Sequence, residues 1–164
     1  NMEQEKEKNE ETFVKKVVQT ALEAERQIRR QQVLHNTRML MEEYIEMKRH
    51  IESAVSEEEE LKEEQYDIFR GEGAHLGSVR RSKMKTAMMI ANIDRAMEEL
   101  RAEYETKEMT YKYDAFKMHY IDGASYEEIA DIQNCGKNTP SRWSKELIRK
   151  MSVKLFGIDG VEKY

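Results

Sequence analysis

Seven side chains near the C-terminus have the types and spacing of a surface that binds nucleic acid: Lys137, Asn138, Ser141, Arg142, Lys145, Arg149 and Lys150. Lysine and arginine pair with phosphate oxygens, and the planar fork of arginine can also take two acceptors on a guanine edge. Asparagine and serine add short polar groups able to reach base edges. On a helix, Arg142 and Lys145, or Ser141 and Lys145, share one side a single turn apart, so the set can project together from one exposed face. Arg142 is the leading candidate for a base contact, and Lys150, nearer the helix end, for a phosphate anchor. Between Lys137 and Lys154 six cations stand against one acid, Glu146, in a chain whose formal net charge is −5. A basic helix on an otherwise acidic protein is the electrostatic footprint of a nucleic-acid reader.

Other chemistries find little support. His35, His50, His75 and His119 are scattered without the HExxH or ExxH spacing of a zinc hydrolase or a di-iron bundle, so no metal and no cofactor are expected. Glu46 and His50 lie four apart on one helix face, a spacing that surface contacts commonly use. The stretch GEGAHLG, from Gly71 to Gly77, lacks the lysine and the preceding strand of a phosphate cradle. The lone cysteine, Cys135, has no partner for an internal disulfide and reads as a small filler of a tight turn in a reducing cytoplasm. The chain is therefore read as a non-enzyme.

The cations need a scaffold, and the residues around them describe one. Tyr113, Phe116, Tyr120 and Ile121 form an apolar helical face that ends where Asp122 and Gly123 turn the chain. Ser125 with Glu128 three residues on is a capping box, which opens a short helix whose Ile129, Ala130 and Ile132 are expected to face inward. Asn134, Cys135 and Gly136 supply a turn. Pro140 then falls in the first turn of the next helix, where its missing amide proton costs little. Pro140, Trp143, Leu147, Ile148, Met151 and Leu155 make the buried stripe of that helix, opposite the cations.

The run YIDGASYEEIADIQNCGKNTPSRWSKELIRKMSVKLFG resembles the helix-turn-helix of sigma factor region 4, and more closely the C-terminal part of phage late-operon transcriptional regulators of the ArpU and RinA type. The resemblance covers roughly the last 55 residues; over the first 75 it is little more than helical character. Pro140 stands where such motifs usually carry valine or alanine, and Gly136 where a serine or threonine cap is usual. The resemblance implies a DNA-binding regulator of phage or prophage late genes in a bacterial host, acting on a promoter and through the host RNA polymerase. A phage small terminase subunit also couples such a motif to helical oligomerisation segments, but tends to place the DNA-binding unit first. A helical adaptor that binds protein through its C-terminal unit is the alternative from a different class.

The remainder of the chain reads as helix. Its 164 residues include one proline and seven glycines, and charged residues (37%) nearly match apolar ones (38%), a balance that favours long helices over a thick globular core. Three regions are expected: a helical or coiled-coil part over 2–70, a loop and second long helix over 71–108, and a DNA-binding unit over 109–164. Apolar residues at Val14, Val17, Val18, Ala21, Leu22 and Ile28 mark one amphipathic helix. Val33, Leu40, Met47, Ala54 and Leu61 then repeat every seven residues, with Thr37, Tyr44 and Ile51 on the complementary offset, a seam expected to pair two copies of the chain as a homodimer or higher homo-oligomer. The acids Glu57 to Glu60 weaken that seam, and the step from Ile28 to Val33 breaks its phase. Gly71 to Gly77 reads as a loop with a basic exit at Arg80, Arg81, Lys83 and Lys85. Beyond it Ile90, Ile93, Met97, Leu100 and Tyr104 form a second amphipathic helix, antiparallel to the first. Eleven methionines suit irregular helix packing. No apolar run approaches the ~20 residues of a membrane span and no signal segment opens the chain, so a soluble, cytoplasmic protein is expected.

Overall fold

The computed structural model of the chain describes residues 2–64 and 73–157. It is all-α: α1 (Met2–Glu64), α2 (Gly73–Thr106), α3 (Thr110–Tyr120), α4 (Tyr126–Ile132) and α5 (Thr139–Phe156), with no strand among the described residues. Glu108 takes a left-handed backbone (φ 57°) between α2 and α3, and the Met109 amide closes the end of α2 on the Tyr104 carbonyl at 2.9 Å. After α3, Gly123 adopts φ 76°, a conformation that glycine enters without a Cβ clash. The one proline, Pro140, sits in the first turn of α5 as expected.

One core joins these helices. Met41 and Tyr44 of α1, Ile90, Ile93, Met97, Leu100 and Tyr104 of α2, Tyr113, Phe116 and Tyr120 of α3, and Leu147, Ile148 and Met151 of α5 form a single buried cluster. All five inward residues expected on α2 are therefore in place. The Tyr44 hydroxyl donates to Asp94, residues about equally far from the 65–72 connection, which makes α1 and α2 an antiparallel hairpin. The cluster runs across the boundaries expected near residues 70 and 108, so α3 and α5 share their apolar faces with the hairpin.

The heptad seam is spent inside the chain rather than between copies. Thr37, Met41 and Tyr44 are buried, and Leu40, Met47 and Ile51 pack against the same core. A seven-residue repeat shows only that a helix has an apolar stripe; α2, α3 and α5 of the same chain cover this one. The side chains of Ala54, Leu61 and Glu57 to Glu60 lie outside the described residues. Of the expected glycine loop, Gly71 also lies outside them, while Gly73 and Gly77 belong to α2. The methionines divide: Met41, Met97 and Met151 fill the core, whereas Met39, Met84 and Met88 are exposed.

Candidate nucleic-acid interface

The short helix α4 is held at its start by the capping box read from the sequence. The Glu128 amide donates to Ser125 Oγ at 3.2 Å, and the Ser125 amide donates to the Glu128 carboxylate at 2.8 Å. The Ser125 amide and hydroxyl, both donating to the Glu128 carboxylate, hold that carboxyl below its usual range. Ile129 and Ala130 are buried, but Ile132 is 66% exposed, because it lies about 110° around α4 from the midline of those two. In the 133–138 connection it is Asn134 that takes the left-handed backbone (φ 49°), and Gly136 does not. A Cβ at Gly136 would come within 3.3 Å of Thr139 Oγ1, a tight contact to which the threonine side chain would have to yield.

On α5 the buried side comprises Pro140, Ser144, Leu147, Ile148, Met151 and Ser152. The two serines escaped the apolar pattern. Trp143 and Leu155, expected in that stripe, are half-buried, and Trp143 rests edge-on against Tyr111 with ring centroids 5.1 Å apart.

Ionic and hydrogen-bonded contacts lock one flank of α5 onto α2 and α3. Glu146 accepts from the Tyr104 hydroxyl at 2.7 Å and from Lys112 Nζ at 2.8 Å. Burial opposes ionisation of Glu146, yet Lys112 and Tyr104 outweigh it and its pKa falls. Burial, and then the bond to Glu146, push the Tyr104 hydroxyl far above its usual range, so it stays a donor. One turn on, Glu103 accepts from both Lys107 and Lys150, which together hold its carboxyl down at about 2. Lys154 reaches Glu99 at 3.4 Å. Lys150 therefore departs from the expected phosphate anchor: it points at α2, roughly 140° around α5 from Lys145, and its charge is already paired. No single-helix pattern shows these partners, since they come from residues 34 to 55 positions away in the chain.

The adjoining side of α5 keeps its cations outward. Arg142, Lys145 and Arg149 are exposed at intervals of three and four residues, one turn apart. Arg142 bonds only weakly to the neighbouring Thr139 hydroxyl, at 3.3 Å. Lys137 and Asn138 are exposed just ahead of the helix, and the Asn138 side chain does not cap it. Ser141 is half-buried on the edge of this face. The one acid of α5, Glu146, borders this row and is neutralised by its bond to Lys112, so the row itself carries only positive charge. Acids bound the face on the α4 side, where Glu127 and Asp131 are exposed and Glu127 pairs with Lys137 at 3.2 Å. A polyanion therefore meets least repulsion along the length of α5, through Arg142, Lys145 and Arg149.

Beside this face lies an open cleft of about 450 Å³ whose lining includes Thr110, Tyr111, Asp114, Lys117, Asp122 and Trp143. His119 donates from Nδ1 to the Ala124 carbonyl (2.9 Å) and stacks on Tyr126, a contact that positions the 121–125 turn. Among the described residues no group of three His, Cys, Asp or Glu is arranged to hold a metal, and no helix is long and apolar enough to cross a membrane. Comparison with known protein families, with characterised proteins and with solved structures finds no match for this chain.

Proposed function

We propose that the chain is a sequence-specific transcriptional regulator that binds double-stranded DNA, with α4 and α5 as a helix-turn-helix and α5 as the helix that enters the major groove. The observation that carries this reading is the outward row Arg142, Lys145 and Arg149, beside which the only acid of the helix, Glu146, is paired with Lys112. Such a row offers two kinds of contact. Cations pair with phosphates on the groove walls, and Arg142, near the helix start, is placed to reach a guanine edge. Lys137, Asn138 and Ser141 lie at the same end and supply further polar contacts. By resemblance, the setting is late-gene control in a phage or prophage, with a homo-oligomer acting at a promoter and contacting the host RNA polymerase.

The test is a fluorescence-anisotropy titration of the full chain against labelled duplex DNA. The variant carrying Arg142→Glu and Lys145→Glu is expected to lose at least about tenfold in affinity, because two phosphate contacts become repulsive. Both side chains are exposed, so helicity by circular dichroism stays as in the parent. Equal affinity of the two proteins would refute the assignment of this face.

A further inference from the structure

Every described residue from Lys8 to Arg29 is exposed, although this part of α1 carries large apolar side chains. Phe13 and Ile28 are each 68% accessible, and Val14, Val17, Val18 and Leu22 between 48% and 58%. A helix face of this kind raises the question of what covers it.

The spacing answers in part. Val14, Val17, Ala21, Ala24 and Ile28 alternate in steps of three and four, the two-position seam of a coiled coil, with the β-branched Val14 and Ile28 at the first position of the repeat. Such a seam is complementary to a copy of itself, since each side chain enters a hole between four residues of an identical helix. The step of five residues from Ile28 to Val33 turns this face about 140–150° away from the one that packs on the body. The body therefore sits on the outer side of each helix and leaves the seam accessible to a second chain. The exposed apolar strip is on the order of 500 Å², near the limit for a monomer's surface. With its flanking side chains it approaches the ~800 Å² per partner of a stable interface.

The flanking positions choose the orientation. In a parallel pair Phe13 lies against Val18 of the other helix and Thr20 against Glu25, so apolar meets apolar and no like charges face each other. An antiparallel pair would set Glu11 beside Glu25 and Phe13 beside Gln27. Between residues 8 and 30 six cations are interspersed with four acids, an arrangement that suits a protein partner better than an anionic lipid surface.

We infer that the face Val14–Val17–Ala21–Ala24–Ile28 of α1 binds a second copy of this chain as a parallel two-stranded coiled coil. The pairing rests on the self-association proposed for the regulator but not on DNA binding. It places two α5 helices at the same end of a two-fold assembly, as a reader of paired half-sites requires.

Sedimentation equilibrium of the full chain at tens of micromolar is expected to give a dimer. Val17→Glu and, separately, Ala24→Glu are expected to raise the dimer dissociation constant at least about 100-fold, because an unpaired charge enters the seam. Position 17 is exposed in the single chain, so the body keeps its thermal unfolding midpoint. Orientation is read with Val14→Cys in a Cys135→Ser background: under mild oxidation a parallel pair joins 14 to 14, whereas an antiparallel pair holds these residues about 15 Å apart along the axis. A wild-type monomer that still shows salt-sensitive DNA binding overturns the pairing alone, as does a dimer indifferent to both substitutions. A monomer that instead binds anionic vesicles also overturns it. Failure of the Val14→Cys variant to cross-link overturns the parallel arrangement. A dimer with no affinity for DNA supports the pairing and overturns the regulator reading.

Discussion

The pairing of Lys150 with Glu103 and of Lys154 with Glu99 turns the DNA reading into a number. Binding constants for duplex DNA fall with salt at a logarithmic slope of about −0.9 per phosphate neutralised. If all six cations between Lys137 and Lys154 met phosphates, the slope would be about −5.4 per chain. Three side chains point outward, Arg142, Lys145 and Arg149, for about −2.7 if each meets a phosphate, and Lys137 brings this to about −3.6 because its bond to Glu127 lies almost wholly in water. Between about 50 and 200 mM salt, affinity for a random duplex is then expected to fall by about 40- to 150-fold per chain, against about 1,800-fold for six contacts. The assay is an anisotropy titration at four or five salt concentrations, with the slope divided by the chains bound. Lys145→Ala is expected to make the slope shallower by about 0.9 and Lys150→Ala to leave it unchanged. Equal effects of the two substitutions would mean that Lys150 leaves Glu103 for phosphate, and the fixed flank of α5 would be wrong.

Within the outward face, Arg142→Ala is expected to cost about 1–3 kcal/mol more at a preferred site than on a random duplex, where only its phosphate contact is lost, measured by competition between the two DNAs. Glu103 carries a pH-dependent share of stability. Its folded pKa of about 2 lies below the ordinary 4.5, so its contribution is complete above about 4.5 and disappears as pH falls toward 2. Urea unfolding of Glu103→Gln should therefore show a deficit of about 1–2 kcal/mol at neutral pH that shrinks across that window. Ser125→Ala removes the α4 cap and is expected to cost about 0.5–2 kcal/mol in the same assay. Leu100→Ala opens a void at a fully buried position and should cost about 2–5 kcal/mol.

Local patterns announced most of the helices, because each depends on residues close in sequence. The Ser125–Glu128 box, the placement of Pro140 and the inward spacing of Ile90 through Tyr104 are short-range signals with one physical meaning. What a stripe packs against is a long-range matter. The repeat from Val33 looked like a seam between chains, yet Thr37 and Tyr44 find their cover on the body of the same chain. The charges of α5 behave likewise: Arg142, Lys145 and Arg149 stay outward as their spacing suggests, whereas Lys150 and Glu146 are claimed by Glu103, Lys112 and Tyr104, residues that no helical wheel of α5 contains. Ser144 and Ser152 escaped notice because small polar residues also fit where helices approach closely. At the turn expected over Asn134 to Gly136 the left-handed backbone falls on Asn134, asparagine being one of the few residues that tolerate it.

The unbroken course of α1 gives the molecule a mechanical property. No hinge separates the exposed strip around Val17 from the packed segment around Tyr44, so torsional phase passes directly along the helix between them. One residue inserted after Ile28 would rotate everything beyond it by about 100°, and swing the Arg142 row of each chain around the long axis without altering any contact inside the body. Seven inserted residues would restore the heading to within about 20° and lengthen the shaft by about 10 Å. If two chains pair through this strip and read DNA as proposed, the angular relation between the two rows, and with it the spacing of half-sites they span, follows from the count of residues between Ile28 and Val33.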